Sequence, residues 1–572
     1  MPGAVVAEHQ ANPVSPPRLQ ISRLVLVGLL VFPLALSVQI GTSISDFYFR
    51  TQDRWLFIVL MLALLMLSYR IPRWPVPEFK LSWAWLLPIL ATLVLLLWWG
   101  TYALMGDYPL TRDEHMVLFD MAVFAKGHLL EPLAAEWRSN PKALVPDFLM
   151  DVPGTVALVS GYLPGNAMLR LGFSWFADPA LMNPLLMGIG AIALYDIARR
   201  LFGDDRRTVL VVMVLYLGST QVLVNAMTVY AMTGHTALSL VWLALFLRGG
   251  WAGHAGAMVV GLVAMGLHQV VFHPLFAAPF LLWLLAQRRY RLFAAYAAVI
   301  GGGALFWMVY PALAIQSMGI VAAGGAGDGV SFLRDRVWPL LVERDPMTVR
   351  LMTLNLVRFT VWQHLALLPL VAMAWPLVRR NRGIAAPLAG GIVLTLLFCT
   401  LILPQQGHGW GYRYMAPLLG SFALLGGLGY QRWRALDRRV ADGVFMVLSA
   451  LSAVFMVLTM WGAHRFVMPH VRLDALIAAQ QTDMVLVDTE LPRQAVDQVR
   501  NLPDLSNRPL RLSSSALDAA ALARLCERGS IALITRADMQ QQGFGLNVPI
   551  ASPRFESKVR QSLAGKPCLA PN

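Results

Sequence analysis

Long apolar runs fill most of the chain, and its polar residues are gathered into short clusters between them. About 20 apolar residues cross ~30 Å of hydrocarbon as a helix, and a lipid-facing backbone must satisfy its own hydrogen bonds. Each run therefore predicts a membrane helix: Leu24 to about Ser45, Trp55 to Ser68, Ala84 to Leu104 and Met182 to Leu201. Further runs lie near 208–226, 232–248, 255–271, 274–287, 292–313, 352–378, 384–403, 412–430 and 441–463. Together they predict about thirteen helices.

The polar clusters set the orientation, because cytoplasmic loops collect Lys and Arg. Arg18 and Arg23 place the N-terminus inside, and Arg70, Arg73 and Lys80 place the second loop there too. The stretch from Gly106 to about Asp151 is then extracytoplasmic. Arg199, Arg200, Arg206 and Arg207 follow the 182–201 helix and belong inside, so that helix enters from outside. Val152 to Phe173, rich in Pro and Gly, must therefore lie along the outer surface without crossing. Arg248, then Arg288, Arg289 and Arg291, then Arg379, Arg380 and Arg382, then Arg432, Arg434, Arg438 and Arg439 continue the alternation. Everything from about His464 onward falls outside. There the pattern changes: strands at Asp483–Asp488, Pro509–Leu512 and Ser530–Thr535 alternate with helices at Val471–Gln480 and Ser515–Glu527, as in a small α/β domain.

Composition agrees: 57% of residues are hydrophobic and 14% charged, against about 25% charged in a soluble domain. The excess of 46 Lys+Arg over 32 Asp+Glu records orientation rather than nucleic-acid binding, since no basic stripe carries interleaved aromatics. Three cysteines exclude a disulfide scaffold. Cys526 and Cys568 both fall in the outer domain, where a disulfide and two free thiols are both open to them. No P-loop, H-E-x-x-H or G-x-S-x-G motif is present.

Ionisable groups beside a membrane are costly and commonly functional, and here they gather on the outer face. Thr111-Arg112-Asp113-Glu114-His115 opens the first large outer loop and runs into a helical pattern. His235 starts a helix from outside, His268 and His273 flank an outer turn, and His408 to Tyr414, with Arg413 between, introduces another helix. Arg358, Gln363 and His364 sit on the outer half of the 352–378 helix. Each has a bland reading: an acidic pair opening a helix is commonly a cap, outer-turn histidines are commonly solvated, and Arg413 suits a snorkelling anchor. Their convergence on one face favours a site. A carboxylate there can take a proton from an attacking hydroxyl while guanidinium or imidazole groups stabilise a departing phosphate. The His268–His273 spacing matches no metal-ligand pattern.

Four passages resemble the polytopic glycosyltransferases of the GT-C fold, particularly bacterial members grouped with the protein O-mannosyltransferases and the lipid A aminoarabinose transferases. They are Thr111 to His115 with Leu118-Phe119-Asp120-Met121-Ala122; Asn183-Pro184-Leu185 leading to Ala198-Arg199-Arg200-Leu201-Phe202-Gly203; His268-Gln269 with His273-Pro274-Leu275-Phe276; and Gly411-Tyr412-Arg413-Tyr414 followed by Pro417. They extend over about Asp107 to Tyr430. The resemblance implies an active site at the outer face, a polyprenyl-phosphate sugar as donor, Asp113 as catalytic base with Glu114 as a supporting carboxylate, and Asp151 near the site. The chain departs from the family in carrying two extra helices before the catalytic loop. It also has Leu163-Pro164-Gly165-Asn166 where a Pro-Pro-Leu-Tyr stretch is usual.

The expectation is thus an all-α polytopic membrane protein, GT-C-like, with a small C-terminal α/β extracytoplasmic domain. Residues 1–23 form a cytoplasmic tail, 24–463 the membrane domain with 106–180 its catalytic outer loop, and 464–572 the outer domain. The function expected is transfer of a sugar from a polyprenyl phosphate to a hydroxyl on a lipid, glycan or protein, in a bacterial inner membrane. The alternative is a polytopic transporter or lipid-linked sugar flippase. Catalysis falls to Asp113 and Glu114. Substrate binding falls to His115, Asp151, His235, His268, His273, Arg358, His364, His408, Arg413 and Tyr414. No cofactor is assigned with certainty, a divalent metal stays open, and the loop from Gly319 to about Val349 is a candidate lid.

Overall fold

The computed structural model describes Gly28 and residues 44–570, except 71, 73–80, 145–148, 150–151, 320–346, 381–382, 491–492, 545–553 and 565. The expected first helix, Asp151 and nearly all of the candidate lid lie outside the described residues.

Helix α1 (Ile44–Tyr69) and α2 (Trp83–Ala103) are, among the described residues, two of five helices long and apolar enough to cross a membrane. The expected 55–68 helix starts earlier because the polar residues before it are held inside the protein: Asp46 pairs with Arg50 at 2.9 Å, and Asp53 accepts a bond from Trp362 at 3.2 Å. Next come α3 (Arg112–Ala125), a short antiparallel ribbon β1 (Glu131–Pro132) and β2 (Ala157–Leu158), and α4 (Gly165–Ser174). Within Val152–Phe173, α4 has only 10 residues, far short of a span.

The bundle continues through α5 (Met182–Phe202), α6 (Arg206–Leu217), α7 (Thr220–Ala226), α8 (Met232–Arg248), α9 (Gly250–Met265), α10 (Phe272–Ala286) and α11 (Tyr290–Ser317). It closes with α12 (Met347–Trp362), α13 (Leu367–Arg379), α14 (Ala385–Leu401), α15 (Leu419–Leu436) and α16 (Arg438–Ala478). Two expected spans are broken: α6 and α7 meet at 56°, and α12 and α13 at 104°. The breaks face one another, and their polar side chains bond together. Ser219 and the Gln221 carbonyl oxygen are bound by Gln363, each at 2.6 Å, and Gln221 donates to the Tyr412 carbonyl at 2.9 Å. Such breaks are tolerated at membrane depth where protein re-satisfies the freed polar groups.

Burial sorts the helices. In the most apolar window of α11 only 11% of residues are buried, so its surface suits lipid, whereas the window spanning α5 is 67% buried at the bundle centre. Close packing of α15 on α13 requires glycine: a Cβ at Gly429 would stand 1.8 Å from the Leu370 carbonyl oxygen.

Two expected boundaries move. The 412–430 helix begins as a 3-10 turn, Arg413–Leu418, which brings residue 413 onto the outer loops. The last membrane helix does not stop near 463. As α16 it runs 41 residues to Ala478, so the separately expected helix at Val471–Gln480 is its final turns. The chain then folds back. A parallel three-stranded sheet of order β4-β3-β5, with β3 (Met484–Val487), β4 (Leu510–Ser513) and β5 (Ile531–Ile534), packs Val485 and Val487 against Leu473 and Ile477 of α16. Its other face shares one core with Met116, Phe119 and Val123 of α3 and with Leu133 and Trp137 of the outer loop. The outer loop and the C-terminal domain are thus one packed body. Cys526 and Cys568 are disulfide-bonded across it, with Cα atoms 5.3 Å apart.

Candidate active site

Thr111 caps α3, its hydroxyl accepting from the Glu114 amide at 3.5 Å. Thr-x-x-Glu is the lettering of a capping box, yet neither carboxylate in this turn serves only as a cap. Glu114 Oε1 accepts from the Val229 amide at 3.1 Å, fastening α3 to the turn before α8. Asp113 faces the bundle. It is 6% exposed, and its Oδ2 accepts from Arg413 Nη1 at 2.5 Å while Oδ1 accepts from the Tyr162 hydroxyl at 2.7 Å. His268 Nε2 stands 3.7 Å from Oδ2, its ring stacked on Tyr162 at 4.6 Å.

Arg413 is aimed from the 3-10 turn. Its backbone amide donates to Gln406 at 3.0 Å, and its guanidinium lies against the rings of Tyr230 and Tyr414 and donates to the Tyr414 hydroxyl at 3.3 Å. Glycine at 409 is required here, since a Cβ would come within 2.8 Å of Arg413 Cδ. His408 lies in the same loop, its carbonyl accepting from the Tyr230 hydroxyl at 3.2 Å.

The C-terminal domain reaches into this arrangement through its 493–501 segment. Asp497, 4% exposed, lies 3.0 Å from Arg112 Nε and 3.7 Å from His408 Nε2. Arg500 lies over the Tyr108 ring at 3.9 Å and bonds the Pro109 carbonyl, and Gln498 donates to the Tyr108 hydroxyl at 2.8 Å.

These surroundings separate the acids. Burial works against ionisation of Asp113, but Arg413 overrides it, aided by His268 and Tyr162, and holds the carboxyl well below the usual range. Burial lifts Glu114 to about 8, outweighing its amide bonds and Arg500. Burial likewise lifts Asp497 to about 7 against the pull of Arg112 and Arg500, and lifts Asp120 to about 8. Among the described residues the site therefore holds one committed carboxylate, with Glu114 and Asp120 keeping a proton at neutrality and Asp497 titrating there.

Glu114 allows a direct check. Its folded pKa lies above the ordinary 4.5, so its contribution to stability is full below about 4.5 and is lost as pH rises through about 8. Glu114→Gln keeps the bond from the Val229 amide through its one carbonyl oxygen and removes that dependence. Thermal midpoints of wild type should fall relative to the variant across this window; parallel curves would refute the buried, protonated state.

Of the sequence candidates, the structure brings Asp113, His268, Arg413 and Tyr414 together, with His408 alongside. Others point elsewhere. Burial, with Arg500 and Arg511 adding to it, holds His115 down at about 3. His235 packs on Phe272 at 5.5 Å, and His273 on Trp242 at 5.7 Å and against Gly261, inside the bundle. His364 bonds Ser449 at 3.1 Å beside the α12–α13 break. Arg358 lies under the site instead of in it: it bonds the Gly409 carbonyl and stacks on Tyr48 at 3.6 Å, bracing the loop that carries Arg413. Sequence reasoning missed Tyr162, Tyr230, Gln406 and Asp497. Among the described residues no three His, Cys, Asp or Glu side chains are grouped to hold a metal. Asp113, the expected acidic centre, is paired with Arg413.

No known family matches the sequence, and no curated protein does. Among solved structures the chain is similar to ArnT from Cupriavidus metallidurans bound to undecaprenyl phosphate, at 12% identity and a TM-score of 0.47, covering 81% of this chain and 88% of that one. It is also similar to the apo form of that ArnT, at 13% identity and a TM-score of 0.48, covering 85% and 93%.

Proposed function

We propose that the protein is a membrane glycosyltransferase that moves a sugar from a polyprenyl-phosphate donor to a hydroxyl acceptor at the extracytoplasmic face. The observation that carries this reading is the buried Asp113–Arg413 pair with His268 and Tyr162 around it. The pair joins a base to a phosphate-binding cation at the head of a helix too short to span and outside the bundle.

The chemistry follows from that pairing. At rest Arg413 neutralises Asp113 and keeps it weakly basic. An arriving donor phosphate competes for the guanidinium, whose planar donors match phosphate oxygens. With Arg413 drawn to phosphate, the buried Asp113 gains basicity and takes the proton of the acceptor hydroxyl. The acceptor oxygen forms its bond to the anomeric carbon as the bond from that carbon to the phosphate oxygen breaks. Polyprenyl phosphate leaves with the electron pair, its charge met by Arg413. Attack opposite the leaving group inverts the anomeric centre.

The transporter reading has one observation in its favour, the facing breaks at α6–α7 and α12–α13. Their polar groups are bound to one another, which suits a structural joint. Purified protein in lipid nanodiscs, given a panel of polyprenyl-phosphate sugars and acceptor extract, should release free polyprenyl phosphate from at least one donor. Movement of donor across liposome membranes without any release would overturn the reading in favour of transport.

A further inference from the structure

We propose that Asp497, brought by the C-terminal domain, is a positioning residue that acts through His408 on the donor phosphate, so that the domain completes the active site and donor binding depends on a proton shared by the two. The inference rests on the transferase reading above.

Asp497 belongs to a different part of the chain from every other group in the site, yet it sits between two of them. It is 3.0 Å from Arg112, the residue next to Asp113, and 3.7 Å from His408, in the loop that aims Arg413. The segment that carries it is fixed independently by Arg500 and Gln498 on Tyr108 and Pro109, and by Asn501, which donates to the Leu144 carbonyl at 2.6 Å. Its placement is therefore built, not incidental to a loose contact.

His408 carries the other half of the argument. Its ring is buried, and neither nitrogen has a hydrogen-bond partner among the described residues. Burial, His470, Arg413 and Arg112 all disfavour its charge, and Asp113 opposes them. Burying an unsatisfied imidazole costs free energy, and the missing partner falls to a ligand group or an ordered water. The groups facing Asp497 are Arg112, Arg500, Asp113 and His408. In that company it titrates near neutrality.

The proton count gives the consequence. With one proton on the pair, it sits on His408 Nε2, facing the Asp497 carboxylate, and Nδ1 offers a lone pair that repels phosphate. With two protons, Nδ1 carries N–H and donates to a phosphate oxygen, while Nε2 closes from 3.7 Å to hydrogen-bond distance of Asp497 and shares the other. Donor binding thus takes up one proton on the pair, and departure of polyprenyl phosphate returns it. A carboxylate that sets a histidine's tautomer and steadies its charge is an established way to act at one remove.

The test is the pH dependence of donor KM in nanodiscs, with polyprenyl phosphate release as readout. Wild-type donor KM should rise roughly tenfold per pH unit above neutrality, as one-proton linkage requires. In Asp497→Asn the amide replaces the shared proton, and KM should vary less than about twofold between pH 6.5 and 8.5. His408→Gln, which leaves the Asp497–Arg112 pair intact, should flatten the same limb even if Asp497→Asn undocks the domain. The double variant should be no worse than the poorer single one. A KM limb in both variants that parallels wild type, with only thermal stability lowered, would overturn the proposal. Absence of release by wild type would overturn the transferase reading instead, and the two failures are distinguishable.

Discussion

Asp113→Asn lowers the turnover of polyprenyl phosphate release by about 10²–10⁴-fold, the range contributed by a positioned general base, while leaving the chain folded. Asparagine preserves the side-chain shape, and its carbonyl oxygen still accepts from Tyr162 or Arg413. What it loses is the one committed carboxylate among the site's described residues, since Glu114 at about 8 keeps its proton near neutrality and Asp497 at about 7 is half protonated there, and both are poor substitutes. The substitution also strips the buried Arg413 of its counter-charge, so some loss of thermal stability accompanies it. Turnover is therefore measured per folded molecule, at a temperature well below the variant's midpoint. Asp113→Glu separates the two effects, because it restores the charge while moving the base by one methylene, and it should recover stability more than rate. Equal loss of stability in both variants with turnover per folded molecule near wild type would assign Asp113 to architecture alone.

Much of this arrangement was legible in the apolar pattern, and the failures share a physical cause. Spans such as Trp83–Ala103 and Met182–Phe202 are read correctly because apolar side chains fill most of their turns, and polar exceptions such as Asn183, which bonds the Thr228 and Tyr230 carbonyls, are satisfied inside the protein. Hydropathy fails where helix and membrane part company. The polar run after residue 463, with His464, Arg465, His470 and Arg472, ends the apolar signal but not the helix. Ala463, Val467, His470, Leu473 and Ile477 are buried at helical spacing, a period that was present in the sequence. The break near 363 was hidden for the opposite reason: Gln363 and His364 interrupt a long run whose flanks stay apolar, and their distant partners, Ser219, Gln221 and Ser449, with Ser452 on the Leu365 amide, make a bend stable there.

The candidate site divides along the same line. Asp113 and Arg413 stood out because charge beside a bilayer is costly and needs a reason. Tyr162 and Tyr230 carry no such signal, since aromatic residues abound at membrane surfaces. Asp497 was invisible as a site residue, because its importance depends on how a sheet folds back along α16 onto the outer loop. Arg358, an arginine inside a helix pattern, was legible as a charge that needs a reason, but its stacking on Tyr48 and its bond to the Gly409 carbonyl, which brace the loop carrying Arg413, were not.

Arg413→Gln should be the second most damaging single change, and its signature differs from that of Asp113→Asn. Breaking a buried ion pair by removing one partner costs about 3–5 kcal/mol, because the remaining charge has no compensation. Here that charge is Asp113, and burial, no longer opposed by guanidinium, drives its carboxyl upward toward the protonated form. The sign of the pH effect follows. In wild type the ionised carboxylate is present down through the ordinary carboxylate range, so acid should cost little activity above that range. In Arg413→Gln the acid limb of the rate profile moves to higher pH, and donor KM rises by at least tenfold as the phosphate loses its planar partner. Arg413→Lys keeps the charge but offers a point donor in place of a fork, and should hold the acid limb near wild type while still raising KM. Saturation kinetics in nanodiscs, at several pH values for all three proteins, read both quantities together. A glutamine variant whose donor KM stays within about twofold of wild type would remove Arg413 from phosphate binding and leave it only as the partner that keeps Asp113 charged.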